Sequence, residues 1–169
     1  MSIMGHLGIT LIVFILLLKY LNKNIGNYDI RLLAFGALLP DIIDKPLCFL
    51  TLSPCRGYSH TLVFLLIICY LSKRFGLMEL AFGTTMHFIL DLMFLERKTF
   101  LWPIFGLKME FTYRTASYYW DRIFTVGFIM ATEIIGLICL FYVFVHYKLY
   151  RGSHLKELII KGRLSDNHL

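Results

Sequence analysis

Residues 123–147 read IFTVGFIMATEIIGLICLFYVFVHY, with one acidic residue, Glu133, and no lysine or arginine. About twenty apolar residues in a helix span the hydrocarbon of a bilayer, so this stretch is a transmembrane helix. Four more apolar segments precede it, at residues 5–20, 30–52, 59–71 and 76–95. Segment 76–95 is long enough for a regular span; segments 5–20 and 59–71 are shorter and either tilt little or thin the bilayer around them. Segment 30–52 carries Asp41, Asp44 and Lys45 behind Pro40. It reads as a span ending near Leu39 with a kinked or re-entrant continuation, which must be buried in protein or line a wet cavity.

Composition agrees. Of the 169 residues, 58% are hydrophobic and 17% charged, against roughly half and a quarter in soluble domains; mean hydropathy is +0.69. The expected fold is all-α: a polytopic membrane helical bundle of about five spans over residues 1–150, followed by a short basic tail at 151–169. The tail is expected to be cytoplasmic and to lie on anionic headgroups.

The net charge of +6 sits between the apolar segments and forms no basic stripe interleaved with aromatics, which argues against nucleic acid. With five alternating spans, one face holds ten basic and four acidic residues and the other seven and six. The positive-inside rule then places the N-terminus outside and the C-terminus in the cytoplasm of a multi-pass plasma-membrane protein. The first segment lacks a basic leader and a small-residue cleavage site, so it reads as a retained span. Cys48, Cys55, Cys69 and Cys139 show no CxxC spacing; Cys48 and Cys55 can pair, but no disulfide framework is visible.

The same topology gathers polar residues. His6 opens the first segment, Asp41 and Asp44 lie at the outer end of the second, His60 opens the third, and His87 and Asp91 close the fourth. All six fall at one membrane face. His87 and Asp91, at i and i+4, share a helix face and can share a cation; a plain His–Asp hydrogen bond is the alternative. Asp41 and Asp44 repel unless a cation or a base such as Lys45 intervenes. Imidazole and carboxylate together suit a divalent metal, zinc first and then manganese or iron, as one ion or two. Arg56 can hold a phosphate or carboxylate with two prongs.

In order, His6, Leu39-Pro40-Asp41-Ile42-Ile43-Asp44, Arg56-Gly57-Tyr58-Ser59-His60-Thr61, His87-Phe88-Ile89-Leu90-Asp91 and Trp102-Pro103 resemble a family of membrane-bound, metal-dependent hydrolases, the LexA-regulated inner-membrane group. The similarity covers roughly residues 4–105. The resemblance implies a multi-span protein with His6, Asp41, Asp44, His60, His87 and Asp91 as metal ligands and Arg56 as the pattern's arginine. It also implies a hydrolytic role. A distant similarity to zinc-dependent phospholipase C suggests a phosphoester substrate. For a hydrolase built on these residues, a phospholipid or isoprenoid phosphate is the expected class, with Asp44 or Asp91 as the catalytic base and Arg56 stabilising the phosphoryl charge. One position departs: family members commonly carry histidine before the arginine, and here Cys55 stands there.

Three functions remain open on the residues themselves: a metal-dependent hydrolase, a metal or proton transporter, and a structural or regulatory membrane protein with a structural metal site. A transporter wants ligands near the midplane, whereas this cluster sits towards one face. No HExxH is present, so the usual helical zinc-peptidase arrangement is unsupported. Glu133 lies about 15 Å inside its span and either hydrogen-bonds a neighbouring helix or handles protons. The outer connection 95–122 reads as an aromatic-anchored interfacial loop or an amphipathic lid. Membrane lipids are the expected partners; the oligomeric state is not legible.

Overall fold

The computed structural model describes residues 3–51, 55–107 and 127–164, and every regular element among them is helical. The helices are α1 (Ile3–Tyr20), α2 (Ile30–Thr51), α3 (Leu62–Phe75), α4 (Met78–Leu90), α5 (Arg97–Phe100), α6 (Gly127–His146) and α7 (Gly152–Lys161). Single 3-10 turns lie at Ile25–Asn27, Tyr58–His60 and Met93–Leu95. Most of the outer connection, residues 108–126 with Lys108, Glu110, Tyr113, Arg114, Tyr118, Tyr119, Trp120, Asp121 and Arg122, lies outside the described residues.

Among the described helices, α1 and α6 are long and apolar enough to cross a membrane. α6 is inside-out by the standard of a soluble core. It buries Thr132, Gly136 and Val143 and exposes Phe128, Leu137, Ile138 and Phe141. Lipid tails satisfy those outward side chains, while small residues let helix backbones meet where dispersion must hold them. A Cβ on Gly8 would collide with the Gly136 carbonyl, and one on Gly136 with the backbone of Met4 and Gly5. α1 therefore lies directly against α6.

The second close pair is α2 with α4. A Cβ on Gly36 would collide with the Leu80 carbonyl, and one on Gly83 with Leu33 O and Ala37 N. α2 is helical throughout and does not stop at Leu39, although it contains Pro40 and Pro46. Pro40 has no N–H to give the carbonyl four residues back. That carbonyl, Gly36 O, instead accepts from Thr84 Oγ1 of α4 at 3.2 Å. Ser59 Oγ donates to Pro40 O at 2.8 Å. Neighbouring elements satisfy the backbone that the proline disturbs, which is what an apolar surround demands.

α3 ends on Gly76 in the left-handed region (φ +71°), and α4 begins two residues later, making a tight helical hairpin. α4 stops at Leu90, earlier than the expected 95, because Asp91 caps it and Leu92 turns left-handed (φ 53°). At the bundle end away from the His/Asp residues, Phe14, Leu18, Ile25, Ile30, Leu33, Val143, Tyr147, Leu149 and Leu164 form the apolar core.

The C-terminal helix docks back on that end. Ile30 N donates to Gly162 O at 2.7 Å, and Arg31 Nη1 donates to Ile159 O at 3.1 Å and Ile160 O at 2.8 Å. A cation on the last carbonyls of α7 also meets the negative end of its dipole. Asp29 holds that arginine with two bonds, Nε to Oδ1 at 3.0 Å and Nη2 to Oδ2 at 2.7 Å. The hydrogen bond from Arg31 keeps the Asp29 carboxyl below its usual range.

Candidate metal centre

His6, His60, His87 and Asp91 sit at the ends of elements, whereas Asp41 and Asp44 lie in the interior of α2. His6 sits in the first turn of α1, Asp41 and Asp44 in α2, His60 in the turn before α3, and His87 in the last turn of α4, with Asp91 as its cap. His6, His60 and His87 are fully buried, and Asp41, Asp44 and Asp91 nearly so.

The three rings pack together. His6 stacks on His87 with centroids 4.3 Å apart, and His60 meets His87 edge-on at 5.2 Å. Their protons can be assigned from the partners. His87 Nδ1 lies 2.8 Å from Ala37 O, a pure acceptor, so Nδ1 carries the hydrogen. His60 Nδ1 donates to Asp44 Oδ2 at 2.7 Å. In the neutral rings both lone pairs are left on Nε2, and these two atoms face each other at 3.2 Å. Two opposed lone pairs repel unless a cation lies between them. Two nitrogens on one tetrahedral zinc, each at about 2.05 Å, stand about 3.3 Å apart. The observed separation fits.

Carboxylates close the arrangement. Asp41 Oδ1 is 3.6 Å from His60 Nε2 and 4.0 Å from His87 Nε2, while its Oδ2 takes Lys45 Nζ at 2.5 Å. Asp91 Oδ1 is 3.3 Å from His6 Nε2. That contact lacks hydrogen-bond geometry, and among the described residues neither ring nitrogen of the buried His6 has a hydrogen-bond partner. A buried imidazole without partners is costly unless it ligates something. Two groups of three, His6–His87–Asp91 and Asp41–His60–His87, can each hold a divalent ion, and they share His87.

Asp44, expected among the ligands and as a base, turns elsewhere. Its Oδ2 also accepts from Gly57 N at 2.7 Å and its Oδ1 from Ser59 N at 3.4 Å, so its oxygens lie behind the His60 ring and off both triads. Arg56 reaches the cluster: Nη2 donates to Asp91 Oδ2 at 2.9 Å, and Nη1 pairs with Glu96. Cys55 is joined to Cys48 in a disulfide, so its sulfur offers no thiolate. The bridge ties the end of α2 to the loop carrying Arg56 and His60.

Two participants escape a reading of the sequence, and a third, Glu133, takes the hydrogen bond to a neighbouring helix that was one of its two expected roles. Thr84 and the Ala37 carbonyl become visible only when α4 is seated on α2. Glu133 accepts from Gly5 N at 2.8 Å and Met4 N at 3.3 Å, capping α1 from a different helix. Its apolar context marked it as a bundle-facing carboxyl without naming that partner.

No curated protein and no solved structure matches the chain. The family model described as YdjM inner membrane protein matches residues 1–157, nearly the whole sequence and every residue of the cluster. A multi-pass inner-membrane location follows from that match together with the two apolar helices. The chain belongs to the YdjM inner membrane protein family.

Proposed function

We propose that this protein is a membrane-embedded, metal-dependent hydrolase acting on a phosphoester of a lipid or isoprenoid-type substrate. The observation that carries the reading is the opposed Nε2 pair of His60 and His87, with both Nδ1 protons committed elsewhere. His87 is the shared ligand, with His6, Asp41, His60 and Asp91 as the donors around it. His87 Nε2 has one lone pair and would serve one ion; a second ion would be held by His6 and Asp91. This mixed nitrogen and oxygen set favours zinc and admits manganese or iron.

A divalent ion held by these residues would supply Lewis acidity towards a water and a phosphoryl oxygen. The chain's own residues do the rest. Arg56 presents its guanidinium beside the cluster, where a phosphate takes up donors now shared by Asp91 and Glu96. Asp91 serves as the acceptor for the proton of the attacking water. Asp44 and the Ala37 carbonyl fix the tautomers of His60 and His87, the outer-sphere role that histidine ligands require.

We place this face outside. The charge asymmetry favours it, and a disulfide persists in an oxidising compartment rather than the cytosol. In this topology α2, α3 and α4 complete about five crossings, and α7 docks at the cytoplasmic end of the bundle.

Metal analysis of the purified protein, followed by hydrolysis of a phosphoester panel, tests the reading. One or two equivalents of a transition metal are expected, with turnover lost in Asp91→Asn. Absence of bound metal, together with unchanged behaviour of His87→Ala, overturns it. Bound metal without turnover on any phosphoester refutes the substrate class and leaves a structural metal site.

A further inference from the structure

Among the described residues, His6 has no hydrogen bond to orient it. Both ring nitrogens are buried; Nε2 lies 3.3 Å from Asp91 Oδ1 outside hydrogen-bond geometry, and the His87 ring stacks on the imidazole face. The position of His6 is therefore set by the backbone of α1, which must place the first turn of that helix to within the tolerance of a metal bond, about 0.2 Å. A first turn has four N–H groups with no partner inside the helix. Two of these, on Met4 and Gly5, donate to the two oxygens of Glu133. One turn further along α6, a Cβ on Gly136 would strike the same two residues, with Gly5 N at 2.6 Å. Seat and cap together fix the residue immediately before His6.

From this geometry we propose that Glu133 is a positioning residue of the metal centre: it caps α1 from α6 and thereby sets the place of His6. The proposal rests on the metal-site reading above. It assigns a role to a carboxylate that lies deep in an apolar helix and touches none of the other acids of the cluster in the described contacts. It also explains why α6, which contributes no ligand, packs backbone to backbone on α1.

The test is a double-mutant cycle read by cobalt binding to the full-length protein in detergent. The visible absorption of Co²⁺ reports its ligand set, and titration gives its affinity. Glu133→Ala is expected to weaken binding roughly tenfold to a hundredfold, the range for residues that orient ligands, and to shift the spectrum towards that of His6→Ala. Glu133→Gln, which keeps one acceptor oxygen, is expected to fall between wild type and Ala and guards against a variant that fails to fold. In a His6→Ala background the Glu133→Ala penalty should nearly vanish, because the ligand it positions is gone. Wild-type affinity and spectrum in Glu133→Ala and Glu133→Gln would overturn the proposal, as would an undiminished penalty in the His6→Ala background. If the wild type binds no Co²⁺, the metal reading itself falls and this proposal with it, a result distinct from the other two.

Discussion

Replacing Gly83 by alanine should disable the metal centre from one helical turn away. Gly83 lies where α4 crosses α2, and its Cβ would meet Ala37 N at 2.7 Å and collide outright with Leu33 O. Ordinary contact begins at 3.4 Å, so clearing Ala37 alone requires a shift of 0.7 Å, and Leu33 demands more. Both atoms are backbone and cannot rotate aside. His87 follows Gly83 by four residues on the same face and hydrogen-bonds Ala37 O at 2.8 Å. Adding the shift stretches that bond to about 3.5 Å, beyond hydrogen-bonding distance. Where His87 ligates as proposed, loss of the bond that orients it lowers metal affinity by roughly tenfold to a hundredfold. Competition against a chromophoric chelator measures it in detergent, with helical circular dichroism as the control for folding. Gly127→Ala, whose Cβ meets nothing within 4 Å, is the matched negative. A folded Gly83→Ala protein with metal affinity within twofold of wild type would refute the coupling.

Asp44→Asn presents an amide N–H₂ or a single acceptor to His60 Nδ1, so the ring can carry its proton on Nε2; metal affinity is expected to drop roughly tenfold to a hundredfold, measured by the same competition. Joint replacement of Cys48 and Cys55 by alanine opens a bridge of sequence separation 7 and should cost about 2.5 kcal/mol, read as a lower thermal midpoint that reductant no longer changes. Asp29, before α2, has its carboxyl held low by the Arg31 hydrogen bond. A depressed value means its contribution is present above the unfolded pKa of about 3.9 and is lost as pH falls through the folded value. Docking of α7 should thus hold at pH 5 to 7 and loosen in stronger acid, and Asp29→Asn should loosen it at neutral pH. Protease sensitivity of the C-terminal helix reports both.

The sequence made the helical class and the membrane setting legible because they depend on segment length and apolarity, and α6 displays both. The gathering of His6, His60, His87 and Asp91 was legible too, since alternating spans bring alternate helix ends together; Asp41 joins them from the interior of α2, which continues to Thr51 instead of ending near Leu39. Details that depend on contact were hidden. Asp44 and Asp41 look equivalent at i and i+3, yet a ring and two backbone N–H groups claim Asp44. Pro40 suggests a break, and only the Thr84 hydroxyl across the interface shows why the helix continues. Cys55 stands where histidine is common in the resembled family, and its pairing with Cys48 was one of several open readings of four scattered cysteines.

The hydroxyl of Thr84 lends α2 a bond that its own sequence withholds, and this ties two distant codons together. Restoring an N–H at position 40 would return the Gly36 carbonyl to its own helix and leave Thr84 Oγ1 with Leu80 O, its other acceptor at 2.9 Å. Removing the hydroxyl while the proline stays would strand a carbonyl in an apolar interior, a defect far harder to tolerate. The order of change is therefore directional: proline can be lost first without harm, whereas threonine cannot. Relatives descending from a common ancestor should include chains with threonine and no proline at these positions, and few with proline alone.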